Sequence, residues 1–207
     1  MGIATGKYTK GREMKSTLDN LLVGVLSPTL VQGLPGYEAV DIGGGLKVAP
    51  VIQFDVKAAS PETYDLWGDT VIKGEARLKD GRFTITSLTV EGPSVTGALL
   101  RSIPVQGVLR TAVVRTAHRS FTDPDGKTWT GRMSRLWWDQ DVARHGPTPE
   151  ALEAVATIYR LAYAVGDNPT KAVAEDLNLA GSTAGRWVMK ARAAGLLGET
   201  QPGKAGA

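Results

Sequence analysis

Arg186, Lys190 and Arg192 share a run, Ser182 to Ala194, that contains no acidic residue, and Ser182 and Thr183 open it. At helical spacing, Ala184, Val188 and Ala191 fall on one face with Trp187 at its edge. The other face then carries Ser182, Thr183, Gly185, Arg186, Met189, Lys190 and Arg192. A guanidinium can donate two parallel hydrogen bonds to the major-groove edge of guanine, and small hydroxyls reach any base. An ammonium serves phosphate as a point charge. The chemistry that these types and spacings suit is recognition of double-stranded DNA. Ser182, Thr183 and Arg186 are placed for base edges; Lys190 and Arg192, with Thr170 and Lys171 upstream, for phosphates that fix register without reading sequence.

Other chemistries find less support. The chain has no cysteine, so it has no disulfide, thiolate metal site or thiol nucleophile. His118 and His145 are its two histidines, far apart and without a surrounding motif. Gly43-Gly44-Gly45-Leu46-Lys47 has the look of a phosphate loop but lacks the Gly-Lys-Ser/Thr ending and a following helix. Asp123, Asp125 and Gly126 begin a calcium-loop pattern that the next residues do not continue, and they read as a turn. Asp55, Asp65 and Asp69 read as surface charges. Arg110, Arg115, Arg119, Arg132 and Arg135 alternate with Trp129, Trp137 and Trp138, a pattern that suits an accessory backbone-binding surface but more often marks core tryptophans rimmed by arginine. No catalytic constellation emerges, so neither an enzyme nor a metal or organic cofactor is expected.

A DNA-facing helix needs partners to hold it. Thr148-Pro149-Glu150 supplies a capping hydroxyl, a proline at the first helical position and an acid near the positive end of the dipole. The helix it opens runs to about Val165, with an apolar stripe of Leu152, Val155, Ala156, Tyr159 and Ala162 or Tyr163. Gly166-Asp167-Asn168 breaks it, and Asn168-Pro169 starts a short second helix burying Val173, Ala174 and Leu177. A turn over Asn178-Leu179-Ala180-Gly181 leads into the third. Three such helices with a short turn between the last two make a helix-turn-helix unit.

The run from Pro169 to Leu177, with Ser182 to Val188 and Ala191 to Leu197, resembles the helix-turn-helix domains of actinobacterial and actinobacteriophage proteins. The resemblance covers about fifty residues. It implies DNA binding, usually in transcriptional regulation. Gly185 departs from it, where a polar or charged residue is more usual, at about 1 kcal/mol of helix propensity relative to Ala.

Upstream, Leu18 to Leu26 recur at helical spacing and Pro28 would end that helix. Period-two alternation over Leu46 to Val56, broken near Pro50, predicts a strand. Val71 to Leu78 and Phe83 to Val90 flank Asp80-Gly81 and predict a hairpin, with a bulge where the phase slips at Ser87. Residues from Val95 to Val113 return to helical period around Pro104, and Phe121 to Thr130 predicts another hairpin. The expected class is α+β: an N-terminal antiparallel sheet with packed helices and a C-terminal three-helix helix-turn-helix. The expected division is a flexible arm over 1–13, an α+β domain over 14–145 for dimerisation or partner contact, the helix-turn-helix over 146–198 and a disordered tail over 199–207.

The 207 residues carry a net charge of +3, with the excess concentrated in 101–146. That balance permits a nucleic-acid partner without proving one. The lack of cysteine, of a secretory leader and of a membrane-spanning run predicts a cytoplasmic protein with no membrane partner. The expected function is sequence-specific binding of double-stranded DNA by a transcriptional regulator of host or phage, acting as a homodimer. The alternatives are an assembly protein whose helices mediate protein contacts, and a nucleic-acid-processing enzyme with its site in the N-terminal domain.

Overall fold

The computed structural model describes residues 26–33, 35–58, 67–122, 126–132 and 141–198. The expected arm over 1–13, the helix expected from Ser16, Asp65, Asp123 and Asp125, Arg135 with Trp137 and Trp138, and the tail over 199–207 lie outside the described residues.

The chain is α+β. Among the described residues eight strands run as β1 (Leu26–Gly33), β2 (Val40–Asp41), β3 (Leu46–Val48), β4 (Val51–Ala58), β5 (Val71–Lys79), β6 (Arg82–Glu91), β7 (His118–Thr122) and β8 (Thr128–Arg132). Between β6 and β7 lie helices α1 (Gly97–Ser102) and α2 (Val105–Thr116). After β8 come α3 (Pro149–Val165), α4 (Pro169–Asp176) and α5 (Gly181–Ala193). The strands form two four-stranded sheets, β1-β4-β5-β6 and β2-β3-β7-β8, where the sequence predicted one. All their pairings are antiparallel.

Leu26 and Pro28 belong to β1 rather than to the end of a helix. That strand is at a sheet edge, where a missing N–H costs no ladder bond, and its register slips between Pro28 and Leu30. Pro50 stands between β3 and β4, which belong to different sheets, so the break in alternation marks the chain crossing from one sheet to the other. The β5–β6 hairpin turns at Asp80 and Gly81, both with positive φ (51° and 75°), as the twist of the flanking strands requires. Its bulge falls one residue before the expected slip at Ser87: Glu75 faces Ser87 while Ala76 faces Ile85, leaving Thr86 as the extra residue.

Both sheets feed one core. Leu46 and Val48 from β3 join Ile52, Phe54, Val56, Ile72, Ala76 and Phe83 of the β1-β4-β5-β6 sheet, and α2 adds Val108, Leu109, Ala112 and Val113. Pro104 stands just before α2, at the position preceding its first residue.

A second core lies among α3, α4 and α5. Ala151, Val155, Ile158 and Tyr159 of α3 meet Val173 and Leu177 around α4, Ala184, Trp187, Val188 and Ala191 of α5, and Leu197. Helix α3 is buried on more than the one stripe that the sequence suggested. Its last turns place Leu161, Ala164 and Val165 in the first core, so this single helix packs into both. An apolar run that continues around a helix is the pattern of one enclosed on several sides.

Candidate nucleic-acid interface

Three helix starts set the geometry of the C-terminal unit. Thr148 caps α3, its hydroxyl accepting from the Ala151 N–H at 3.3 Å, and Asn168 caps α4, accepting from the Lys171 N–H at 3.1 Å. The Glu150 carboxyl is held below its ordinary range by its own backbone N–H and then by the Thr148 hydroxyl. Helix α5 begins after Ala180 without any side-chain cap, which leaves the positive end of its dipole uncovered by a side-chain oxygen.

Between α4 and α5 the chain turns over Leu177–Ala180, one residue earlier than the sequence suggested. Asn178 takes a positive φ of 50° there. Asn tolerates this left-handed conformation better than most side chains, which is why the turn closes in so few residues.

Packing of α5 is as its periodicity demands: Ala184, Trp187, Val188 and Ala191 are buried. Ser182, Arg186, Met189 and Lys190 are exposed, and Thr183 and Gly185 are half-buried. Positions 182, 186 and 190 are spaced by four and align along one stripe. The Arg186 guanidinium lies back along the helix, Nε donating to Ser182 O and Nη2 to Thr183 Oγ1, each at 3.4 Å. Bonds of that length to a single charged group are weak and readily exchanged. Among the described residues Lys190 makes no ion pair.

The residues expected to meet phosphate divide. Lys171 is exposed on α4 and pairs loosely with Glu175 one turn on, at 3.7 Å, while Thr170 is half-buried in the same first turn. Arg192 is turned back onto the bundle: its Nη2 donates to the Tyr159 hydroxyl at 2.8 Å, its Nε to Gly198 O at 3.1 Å, and its guanidinium lies 5.0 Å from the Tyr159 ring centre. Its first role in this arrangement is to tie the end of α5 to α3.

Arg160 was not singled out by the sequence. It is 8% exposed at the middle of α3, donates from Nη2 to Leu196 O, and keeps an Nε without a hydrogen-bond partner. Burial pushes its pKa down, Glu153 and Asp41 oppose that, and Arg119 adds to it. The Gly43-Gly44-Gly45 loop lies on this guanidinium: a Cβ at Gly43 would come within 2.6 Å of Arg160 Nε, and one at Gly44 within 2.6 Å of Nη1. Gly43 and Gly44 therefore accommodate a side chain of the protein itself, while Gly45 lies against Ser120 O. Beside it, Arg119 on β7 reaches Glu153 of α3 at 2.6 Å. The one legible signal was the glycine triplet.

Among the described residues no group of three or more His, Asp or Glu side chains gathers as a metal site would require, and no helix is long and apolar enough to cross a membrane. Comparison with protein-family models, with curated proteins and with solved structures finds no match to this chain.

Proposed function

We propose that the chain binds double-stranded DNA through a helix-turn-helix formed by α4 and α5, and that it regulates transcription in the cytoplasm of its host. The observation that carries this reading is the outer stripe of α5. It offers Ser182, Arg186 and Lys190 to solvent, carries no acid, and starts at a helix end without a side-chain cap. Arg186 sits in the first two turns, where a helix laid in the major groove meets base edges. Gly185 and Met189 would face the groove beside it, and an exposed methionine can pack on a thymine methyl. Lys190, Lys171 and Thr170 would meet phosphates on either side, with Arg192 holding the helix end. Two copies would present two such helices to half-sites about 34 Å apart.

One observation favours a protein-contact surface instead: Met189 is 62% exposed at the centre of the same face. A mobility shift of the intact protein on fragmented DNA from its own replicon, across a salt series and beside Arg186→Ala, separates the two. DNA reading predicts selective retention of one fragment, weakened about five- to 150-fold in the variant, since a bidentate base contact contributes about 1–3 kcal/mol. Weak retention of all fragments that salt abolishes and Arg186→Ala leaves unchanged would sink it.

A further inference from the structure

The tip of the β5–β6 hairpin belongs to the N-terminal sheet in sequence but is fixed against the C-terminal helices. Gly81 lies against Tyr163 in the last turn of α3, where an added Cβ would sit 3.8 Å from the ring, and the Arg82 guanidinium covers that ring at 4.7 Å from its centre. From another side α2 holds the corner that follows. Arg110 Nη2 pairs with Asp167 Oδ2 at 2.5 Å, and the Gln106 amide donates to Val165 O and to Asp167 Oδ1. Helix α4 begins directly after this corner, at Pro169. Five residues from Val165 to Thr170 span at most about 18 Å. That is about half a turn of a duplex whose full turn advances about 34 Å.

Charge on the hairpin is sorted along its length. Nearer the sheet, Lys73 is neutralised by Glu91 at 2.6 Å and Arg77 by Glu75 at 2.7 Å. At the tip Lys79 and Arg82 face each other in the last pair of the ladder, both are exposed, and neither makes an ion pair among the described residues. Asp80 is the acid of the turn itself, and Asp167 after α3 is already matched by Arg110.

We infer that this tip is a second DNA-backbone contact, in which Lys79 and Arg82 meet phosphates flanking those met by the first turn of α4. The inference rests on the reading of α4 and α5 as the DNA-binding unit. Docking on Tyr163 and the Arg110–Asp167 pair gives the tip a fixed distance from α4, so that its cations bind without the ordering cost of a loose loop.

The test is a salt series on a mixed-sequence duplex longer than two helical turns, with the full chain and the variants Lys79→Ala, Lys79→Glu, Lys190→Ala and Arg186→Ala. Loss of one phosphate contact lowers the slope of log K against log salt by about 0.9, an affinity loss of about eight-fold at about 0.1 M salt. Lys79→Ala is expected to show that loss with an unchanged melting temperature, because its side chain is exposed, and Lys79→Glu a larger one. If Lys190→Ala lowers the slope and both Lys79 variants leave it at the wild-type value, the hairpin contact is wrong and the α4–α5 reading stands. If the Lys79 variants lower it and Lys190→Ala and Arg186→Ala do not, the hairpin binds DNA and α5 does not. No retention of duplex by the wild-type chain overturns both.

Discussion

Gly43 and Gly44 hold φ values of 110° and 62° over a buried arginine, so two constraints act at one place. The left-handed backbone penalises any L side chain by about 1–2 kcal/mol. The Arg160 guanidinium, anchored on Leu196 O, occupies the space a Cβ would need. Gly44→Ala should therefore destabilise the protein by about 2 kcal/mol or more in urea unfolding. In an Arg160→Ala background the same change should cost less, the remainder being backbone strain alone; equal costs in both backgrounds would show that the contact contributes nothing. Glu150 gives a pH-dependent counterpart. Its folded pKa is depressed, so its contribution is fully present above the unfolded value of about 4.3 and is lost as pH falls through the lower folded value. The stability difference between wild type and Glu150→Gln should be constant at neutral pH and shrink on acidification below about pH 4.3, read by thermal melts in a pH series. A difference that persists in acid would remove the capping carboxylate from the account.

Helix α5 has Gly185 in its interior, half-buried, with nothing within 4 Å of where a Cβ would sit and with φ in the ordinary negative range. Gly185→Ala should thus raise stability by up to about 1 kcal/mol, seen as a higher urea midpoint. The same variant checks the groove reading. An added methyl on a face pressed into a major groove alters DNA affinity, whereas one on a solvated face leaves it unchanged. Elements with strong local signals were legible in advance. The Asp80-Gly81 turn, the bulge beside Ser87, the caps at Thr148 and Asn168 and the inward set of α5 all depend on neighbours within a few residues. β1 was not legible. Pro28 looked like a helix stop because the residues before it have helical spacing, while its partner in the ladder, Val56, is far away in sequence.

At the scale of the molecule, α3 joins two cores: Leu161, Ala164 and Val165 in one, Ala151, Val155 and Ile158 in the other. The Arg110–Asp167 and Arg119–Glu153 pairs and the Arg82–Tyr163 stack cross the same boundary. Unfolding of either core removes part of the packing of the other, so the chain should unfold as one cooperative unit. Trp67 is buried in the first core and Trp187 in the second, giving a reporter for each. Variants in which Trp67 or Trp187 is the one tryptophan kept of the five should show the same urea midpoint by fluorescence; separate midpoints would establish two independently folding units.

The sequence by itself determined what periodicity and local chemistry can carry: an α+β class, the hairpins, the three C-terminal helices and the acid-free face of the last one. Each of these is written within one turn or one strand pair, where spacing directly specifies which side chains share a face. Only the tertiary structure decided that the strands divide into two sheets, that Arg192 folds back onto Tyr159, that Arg160 lies beneath Gly43 and Gly44, and that a hairpin tip is anchored on Tyr163 of α3. Those outcomes depend on pairings between residues from tens to more than a hundred positions apart, which are fixed by which surfaces remain to be buried once every local element has formed.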